Sequence, residues 1–208
     1  MENTLNNPTA NIVKTTTRPK PGERKIEILQ TLASMLESPT GELVTTKLLA
    51  ARIGVSEAAL YRHFASKAQM FEGLIDFIEQ TVRGLTAQIA KQHADNGLAQ
   101  VQALMQILLE FAMRNKGMTR VLVGDALVHE NDRLQVRINA LLDGTELAMK
   151  QALRVAAMNG QIDTSVDIGA RANMMMAYVM GRWLRYSKSG FKTSPTDGWQ
   201  VHLAVFLK

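Results

Sequence analysis

The stretch Val44 to Phe71, VTTKLLAARIGVSEAALYRHFASKAQMF, constrains this chain more than any other. Two short helical patterns flank a glycine, and an aromatic–basic run follows at once. Thr45 and Thr46 form an N-cap pair, because a hydroxyl can accept the orphan N–H groups of the next turn. Leu48, Leu49 and Ile53 then recur at helical spacing. Gly54 supplies the positive φ that a sharp helix-to-helix turn requires. Val55 is expected to fill the angle, and Ser56 to cap a second helix through Tyr61. Leu60 and Phe64, four apart, face inward. Ser66 with Gln69 reads as a capping box opening a third helix.

Such a pair of helices can set the second one into the DNA major groove. Small residues near its start let the backbone approach the bases. The candidate DNA contacts are Thr45, Thr46, Ser56, Glu57, Ala58, Ala59, Tyr61, Arg62, His63 and Lys67. Tyr61, His63 and Lys67 suit phosphate. An ordinary helical hairpin with an aromatic core residue is the plainer reading, but turn, caps and the LYRHFASK run coincide.

Charge is consistent with a polyanionic partner. The net charge is +5, with a pI near 9.6. Residues 1–25 hold Lys14, Arg18, Lys20, Arg24 and Lys25 against Glu2 and Glu23, a balance of +3. We read residues 1–22 as a flexible basic arm, since Pro19 and Pro21 interrupt any helix. There are no cysteines, which excludes disulfides and thiolate chemistry. No apolar run reaches the length of a membrane span, and the N-terminus lacks the apolar core of a secretory signal. A cytoplasmic protein is expected.

The rest of the chain has helical periodicity and no alternating strand pattern. Ile26, Leu29, Leu32, Ala33 and Leu36 form a first stripe, ended by Pro39, Thr40 and Gly41. A long helix runs from Ser66 to about Gln92, with Phe71, Leu74, Ile78, Val82, Leu85 and Ile89 inward. A second spans Leu98 to Arg114, broken off at Asn115, Lys116 and Gly117. A short helix near 118–127 is expected, then helices over 131–158, 164–187 and 199–207. The fold class is all-α: a three-helix domain with a helix-turn-helix over 23–67, then a dimerising bundle of about six helices over 68–208.

The 164–187 segment is apolar nearly all round: Ala170, Ala172, Met174, Met175, Met176, Ala177, Val179, Met180, Trp183 and Leu184. A helix of this kind must be buried on two sides, and a second subunit can supply one of them. Methionines lining a ligand pocket are the alternative. No catalytic constellation is present. His63, His93, His129 and His202 lack metal-ligand spacing, and His129, Glu130 and Asp132 read as a solvated corner. No glycine-rich phosphate motif occurs, so neither an enzyme nor a cofactor is expected.

Two uses of the bundle then compete: release of DNA by a small effector, or docking of another protein. Met70, Phe77 and Gly84 are seven apart and share a second face of their helix. Phe77 there either anchors a partner or packs sideways into the core. Arg114 and Asn115 end the next helix, where a cation complements the helix dipole and can also hold a carboxylate.

The run TTKLLAARIGVSEAALYRHFASK resembles the N-terminal domain of TetR-type regulators. Beyond it, IEILQTLASMLES, FEGLIDFIEQ, TRVLVGDALVHENDRLQVRINALL and FKTSPTDGW are similar to the SlmA family of nucleoid occlusion factors. The resemblance implies a homodimer on palindromic double-stranded DNA, one or two dimers to a site being left open. It also implies that the dimer antagonises FtsZ ring assembly over the nucleoid, so coordinating division with segregation. The acidic–apolar C-terminal tail of FtsZ would dock between the fourth and fifth helices. The matching positions are Phe77, Arg114 and Asn115, with Ile107 as the aliphatic groove residue. Arg83 lies two residues from Leu85, which stands where the family has a basic residue. Glu110 replaces a family glycine.

Overall fold

In the computed structural model, which describes residues 22–38, 43–163, 165 and 167–207, every regular element is helical. The basic arm and the Pro39–Gly41 terminator lie outside the described residues, apart from Gly22. The elements are α1 (Glu23–Met35), α2 (Thr46–Ile53), α3 (Glu57–Tyr61), α4 (Lys67–Gln92), α5 (Gly97–Arg114), α6 (Lys116–Leu122), a 3₁₀ turn (Asp125–Leu127), α7 (Asp132–Met158), α8 (Ile168–Lys188) and α9 (Trp199–Phe206).

The first three helices close on a small core of Ile28, Leu32, Leu49, Leu60 and Phe64, all buried. Of the expected stripe on α1, Leu32 and Leu36 are buried and Leu29 and Ala33 pack against the core, but Ile26 is 57% exposed and Ile28 takes the inward place. Ile26 and Ile28 both continue the stripe at helical spacing, and packing of α1 on α2 and α4 selects Ile28. Leu48 likewise turns to solvent while Leu49 goes inside.

α4 leaves this head and enters the bundle. Phe71, Leu74, Ile75, Ile78, Val82 and Ile89 are its buried residues, together with Met70. Met70 does not share the exposure of Phe77; it is fully buried in the core. Leu85 is only half-buried. α5, α7 and α8 complete the bundle core. Trp183 of α8 is almost fully buried, and its indole N–H donates to the Leu108 carbonyl of α5 at 3.0 Å. That bond satisfies the one polar atom of a large buried ring.

α4 ends at Gln92 and α5 at Arg114, and the glycines beyond these ends also let helices touch. A Cβ on Gly117 would stand 2.0 Å from the Ala33 carbonyl oxygen of α1. α6 therefore starts directly at Lys116 rather than near Met118, and Gly117 is the contact by which α1 lies on α6. A Cβ on Gly97 would meet Ala152 and Ala156 of α7 at 2.2 Å. α8 begins at Ile168, four residues later than its apolar pattern implies, because the Asp167 carboxylate caps it by accepting from the Ala170 N–H at 2.9 Å.

Candidate nucleic-acid interface and partner groove

The turn of the head is built by backbone bonding around Gly54. Its φ of 76° places it in the left-handed region. Val55 N–H donates to the Ala50 carbonyl at 3.0 Å and Gly54 N–H to Ala51 at 3.2 Å. These two bonds close α2 as a Schellman motif and send the chain off at an angle. Thr45 accepts from the Leu48 N–H at 3.2 Å, and Ser56 from the Ala59 N–H at 3.2 Å. Both caps expected from the sequence are therefore in place. At α4, Ser66 accepts from the Gln69 N–H at 3.2 Å. The Gln69 side chain accepts from the Ala65 N–H at 2.8 Å, one residue before the position that a reciprocal capping box uses.

A side-chain tie joins α2 to both ends of α3. The Thr46 hydroxyl donates to the Glu57 carboxylate at 2.7 Å, and the Tyr61 hydroxyl lies 3.5 Å from the Thr46 hydroxyl oxygen. The Glu57 carboxylate is thus partly occupied by the head itself. Ser56, Ala58, Tyr61, Arg62 and His63 are exposed; Thr45, Thr46 and Ala59 are half-buried. Together they make one surface spanning the start of α2 and the outer side of α3. Lys67 departs from it. Its ammonium pairs with Glu130, beside the 3₁₀ turn, and sits over the Phe71 ring at 5.7 Å. A phosphate contact by Lys67 requires giving up that pair. Glu130 is correspondingly shielded, its side chain only 10% exposed, so the corner at His129 to Asp132 is not wholly solvated.

The second candidate surface lies on α4 and α5. Phe77 is 50% exposed, and among the described residues nothing covers that half of the ring. Ile107 is half-buried against the core, and Arg83 is exposed. The Arg114 side chain is 77% exposed and bonds Glu110 one turn back at 3.1 Å. Asn115 has one amide N–H committed to the Phe111 carbonyl at 2.9 Å, which terminates α5. On a helix, Ile107 and Arg114 are seven apart and share a flank, with Glu110 beside them. Glu110 and Arg114 line an open cleft with Trp199 and Val201 of α9, and Phe77 and Ile107 are not among its lining residues.

Other features have no counterpart in the expected sites. Arg133 binds Glu72 at 2.8 Å, and Arg137 binds Asp76 and Glu79 at 2.7 and 2.9 Å. Burial opposes the Arg137 charge, but hydrogen bonds to those carboxylates and their fields hold its pKa above the ordinary value. Between α4, α5 and α7 lies an open apolar cleft of about 530 Å³, lined by residues such as Val82, Leu104, Gly144 and Ala148. Along α8, Ala170, Met174, Ala177, Gly181 and Leu184 are all exposed, at steps of four, three, four and three. This is the spacing of a coiled-coil seam, and nothing among the described residues covers it. The 4–3 spacing is the sequence signal for it. Among the described residues no cluster suited to a metal ion occurs, and no helix is long and apolar enough to cross a membrane.

Comparison with known proteins places both halves. Residues 42–74 match the bacterial regulatory proteins, tetR family, and residues 95–208 match the family described as Tetracyclin repressor-like, C-terminal domain, SlmA-like. The chain is 47% identical over 182 residues to the nucleoid occlusion factor SlmA of Idiomarina loihiensis, covering 86% of this chain and 92% of that protein. It is 44% identical over 187 residues to that of Alteromonas mediterranea, covering 90% and 95%. Among solved structures, the fatty acid degradation regulator FadR from Bacillus halodurans superposes with a TM-score of 0.73 at 15% identity, over 91% of this chain and 97% of that one. The MbdR regulator from Azoarcus sp. CIB gives 0.74 at 15% identity, over 88% and 97%. The structural likenesses carry the fold alone; the sequence relatives carry the kinship, and by them this chain belongs to the SlmA family of nucleoid occlusion factors, built on the TetR-type fold.

Proposed function

We propose that the chain binds paired DNA half-sites as a two-fold dimer and, from chromosomal sites, antagonises FtsZ ring assembly over the nucleoid. The observation that carries this reading is the 47% identity to a nucleoid occlusion factor, which extends through the bundle and not only the head. α3 supplies base contacts through Ser56, Glu57, Ala58, Ala59 and Arg62, and a phosphate contact through Tyr61. Thr45, Thr46, His63 and the basic arm engage phosphates, with Lys67 joining when released from Glu130, so affinity falls with salt. The exposed α8 seam packs on its copy in a second subunit, where Gly181 and the alanines permit close approach. Phe77, Ile107, Arg114 and Asn115, with Arg83 nearby, take the acidic–apolar tail of FtsZ. Dimers gathered on DNA hold many tails at once, and avidity turns weak single contacts into interference with filament growth.

The test is FtsZ sedimentation with this protein, with and without DNA fragments it selects from a genome. The expected result is less pelleted FtsZ, with a larger loss when selected DNA is present. Equal loss with and without DNA breaks the link between binding and antagonism. No loss in either case ends the FtsZ reading. The apolar cleft between α4, α5 and α7 favours a second reading, a repressor released by a small effector. Dissociation from DNA by an apolar metabolite, with FtsZ unaffected, would establish it instead.

A further inference from the structure

Four ion pairs join α4 to the start of α7 and the residues leading into it: Lys67 with Glu130, Glu72 with Arg133, and Asp76 and Glu79 both with Arg137. Partners lie 63, 61, 61 and 58 residues apart along the row. Partners advance in the same order on both elements, so the two helices run parallel there with the charges roughly in register. No other pair of helices among the described residues shows such a row. Towards the C-terminal half of α4 the same two helices face each other across the apolar cleft, where Thr86 and Ala90 oppose Gly144 and Ala148 without filling the space. The α4–α7 contact is therefore ionic and registered near the DNA head, and loosely packed away from it.

Exposed ion pairs contribute little stability one at a time, and less as salt rises. Charges in register do something else, in that they select one alignment among several of similar energy. That alignment matters here because α4 is a lever. It spans 26 residues, about 39 Å at ~1.5 Å per residue. A tilt of about 5° would carry its DNA end through about 3.4 Å, one base step along a strand. Meanwhile α7 is fixed in the bundle against α5 and α8, and α8 carries the exposed seam.

We propose that this ionic row is a spacing gauge: Glu72, Asp76, Glu79, Arg133 and Arg137 fix the angle of α4 and so the separation of the two recognition helices in the dimer. They are positioning residues and touch no DNA. The gauge rests on the reading of a dimer on paired half-sites. It selects for half-site spacing, whereas the contacts of α3 select for base identity.

The experiment uses the full-length protein in four forms: wild type, Arg133→Gln, Arg133→Gln with Arg137→Gln, and the exchange Glu72→Arg with Arg133→Glu. Each selects sites from a randomised duplex library, and each is titrated against the wild-type site and against one half-site. The double glutamine variant is expected to hold a half-site within about twofold of wild type, since its phosphate contacts are intact. On the paired site it should lose about tenfold, because its second head no longer arrives in register. Its selected sites should spread over more than one spacing. The exchange variant, which rebuilds a pair in reverse, should regain the single spacing. A double variant with wild-type spacing and affinity, or an exchange variant no better than Arg133→Gln alone, overturns the gauge. Wild type selecting no paired half-sites would overturn the dimer reading beneath it, and the gauge with it.

Discussion

The head and the outer faces of the bundle carry function by opposite routes. In the head, each cap and the turn between α2 and α3 are completed by a residue close in sequence. Thr45 is answered by Leu48, Ser56 by Ala59, and Gly54 by Ala51. Even the tie from Thr46 to Glu57 spans only 11 residues. On the bundle, Phe77 and the α8 seam are functional candidates because their own chain leaves them uncovered, which depends on helices far away in sequence. The comparison teaches that a surface which binds by its own local geometry can be read in a short window. A surface defined by what fails to cover it emerges only after packing.

The seam gives the strongest way to break that contrast. A Cβ at Gly181 would meet nothing within 4 Å in its own chain. Replacing a mid-helix glycine should itself favour the helix by about 1 kcal/mol. Gly181→Arg should nonetheless raise the dimer dissociation constant about a thousandfold, since an unpaired guanidinium at a tight interface costs several kcal/mol. Sedimentation velocity would report monomers with undiminished helical circular dichroism. A dimer of unchanged strength would place the interface elsewhere.

Next in size is the joint between the two regions. Gly117→Ala adds one methyl group 2.0 Å from the Ala33 carbonyl oxygen. We expect a loss of about 3 kcal/mol in denaturant titration, because neither backbone can yield without separating α1 from α6. A gain of stability, as alanine normally gives in a helix, would show that head and bundle are not held at this point.

Phe77→Ala and Arg114→Asp sharpen the division of labour. Each should weaken binding of an FtsZ tail peptide about tenfold, by loss of an aromatic anchor or of a charge-assisted bond. Each should cost no more than about 1 kcal/mol of folding stability, since half of Phe77 and most of the Arg114 side chain are in solvent. Fluorescence anisotropy with labelled peptide and with labelled DNA would separate the effects. Loss of DNA binding in step with peptide binding would merge the two surfaces into one.

The same contrast marks what is legible in the sequence. The helices themselves, the caps at Thr45 and Ser56 and the buried faces of α4 and α5 follow from spacing. The inward place of Ile28 on α1 does not, because Ile26 and Ile28 both continue the stripe at helical spacing and only contact with α2 and α4 chooses Ile28. Met70 escapes for a related reason: residues seven apart share a face, but α4 is covered at its head end and open further along. That Gly117 and Gly97 also admit a neighbouring helix is not legible, since nothing local distinguishes a glycine that only ends a helix from one that a neighbour touches. The ionic row pairs residues about 60 positions apart, beyond any local pattern.

The smallest effect belongs to the turn that organises the head. Gly54 and Gly117 are the same residue with different physics. At Gly54 a Cβ would meet nothing within 4 Å, yet φ is 76°. Gly54→Ala should therefore cost about 1 kcal/mol, the penalty of a left-handed conformation for an L side chain. Gly54→Asn should cost less, because asparagine tolerates that region. At Gly117 the order would invert, with any larger side chain worse than alanine. Equal losses for alanine and asparagine at Gly54 would mean that contact, not backbone conformation, demands glycine there. The head would then depend on a neighbour just as the bundle does, and the contrast between local and distant determination would fail at its clearest point.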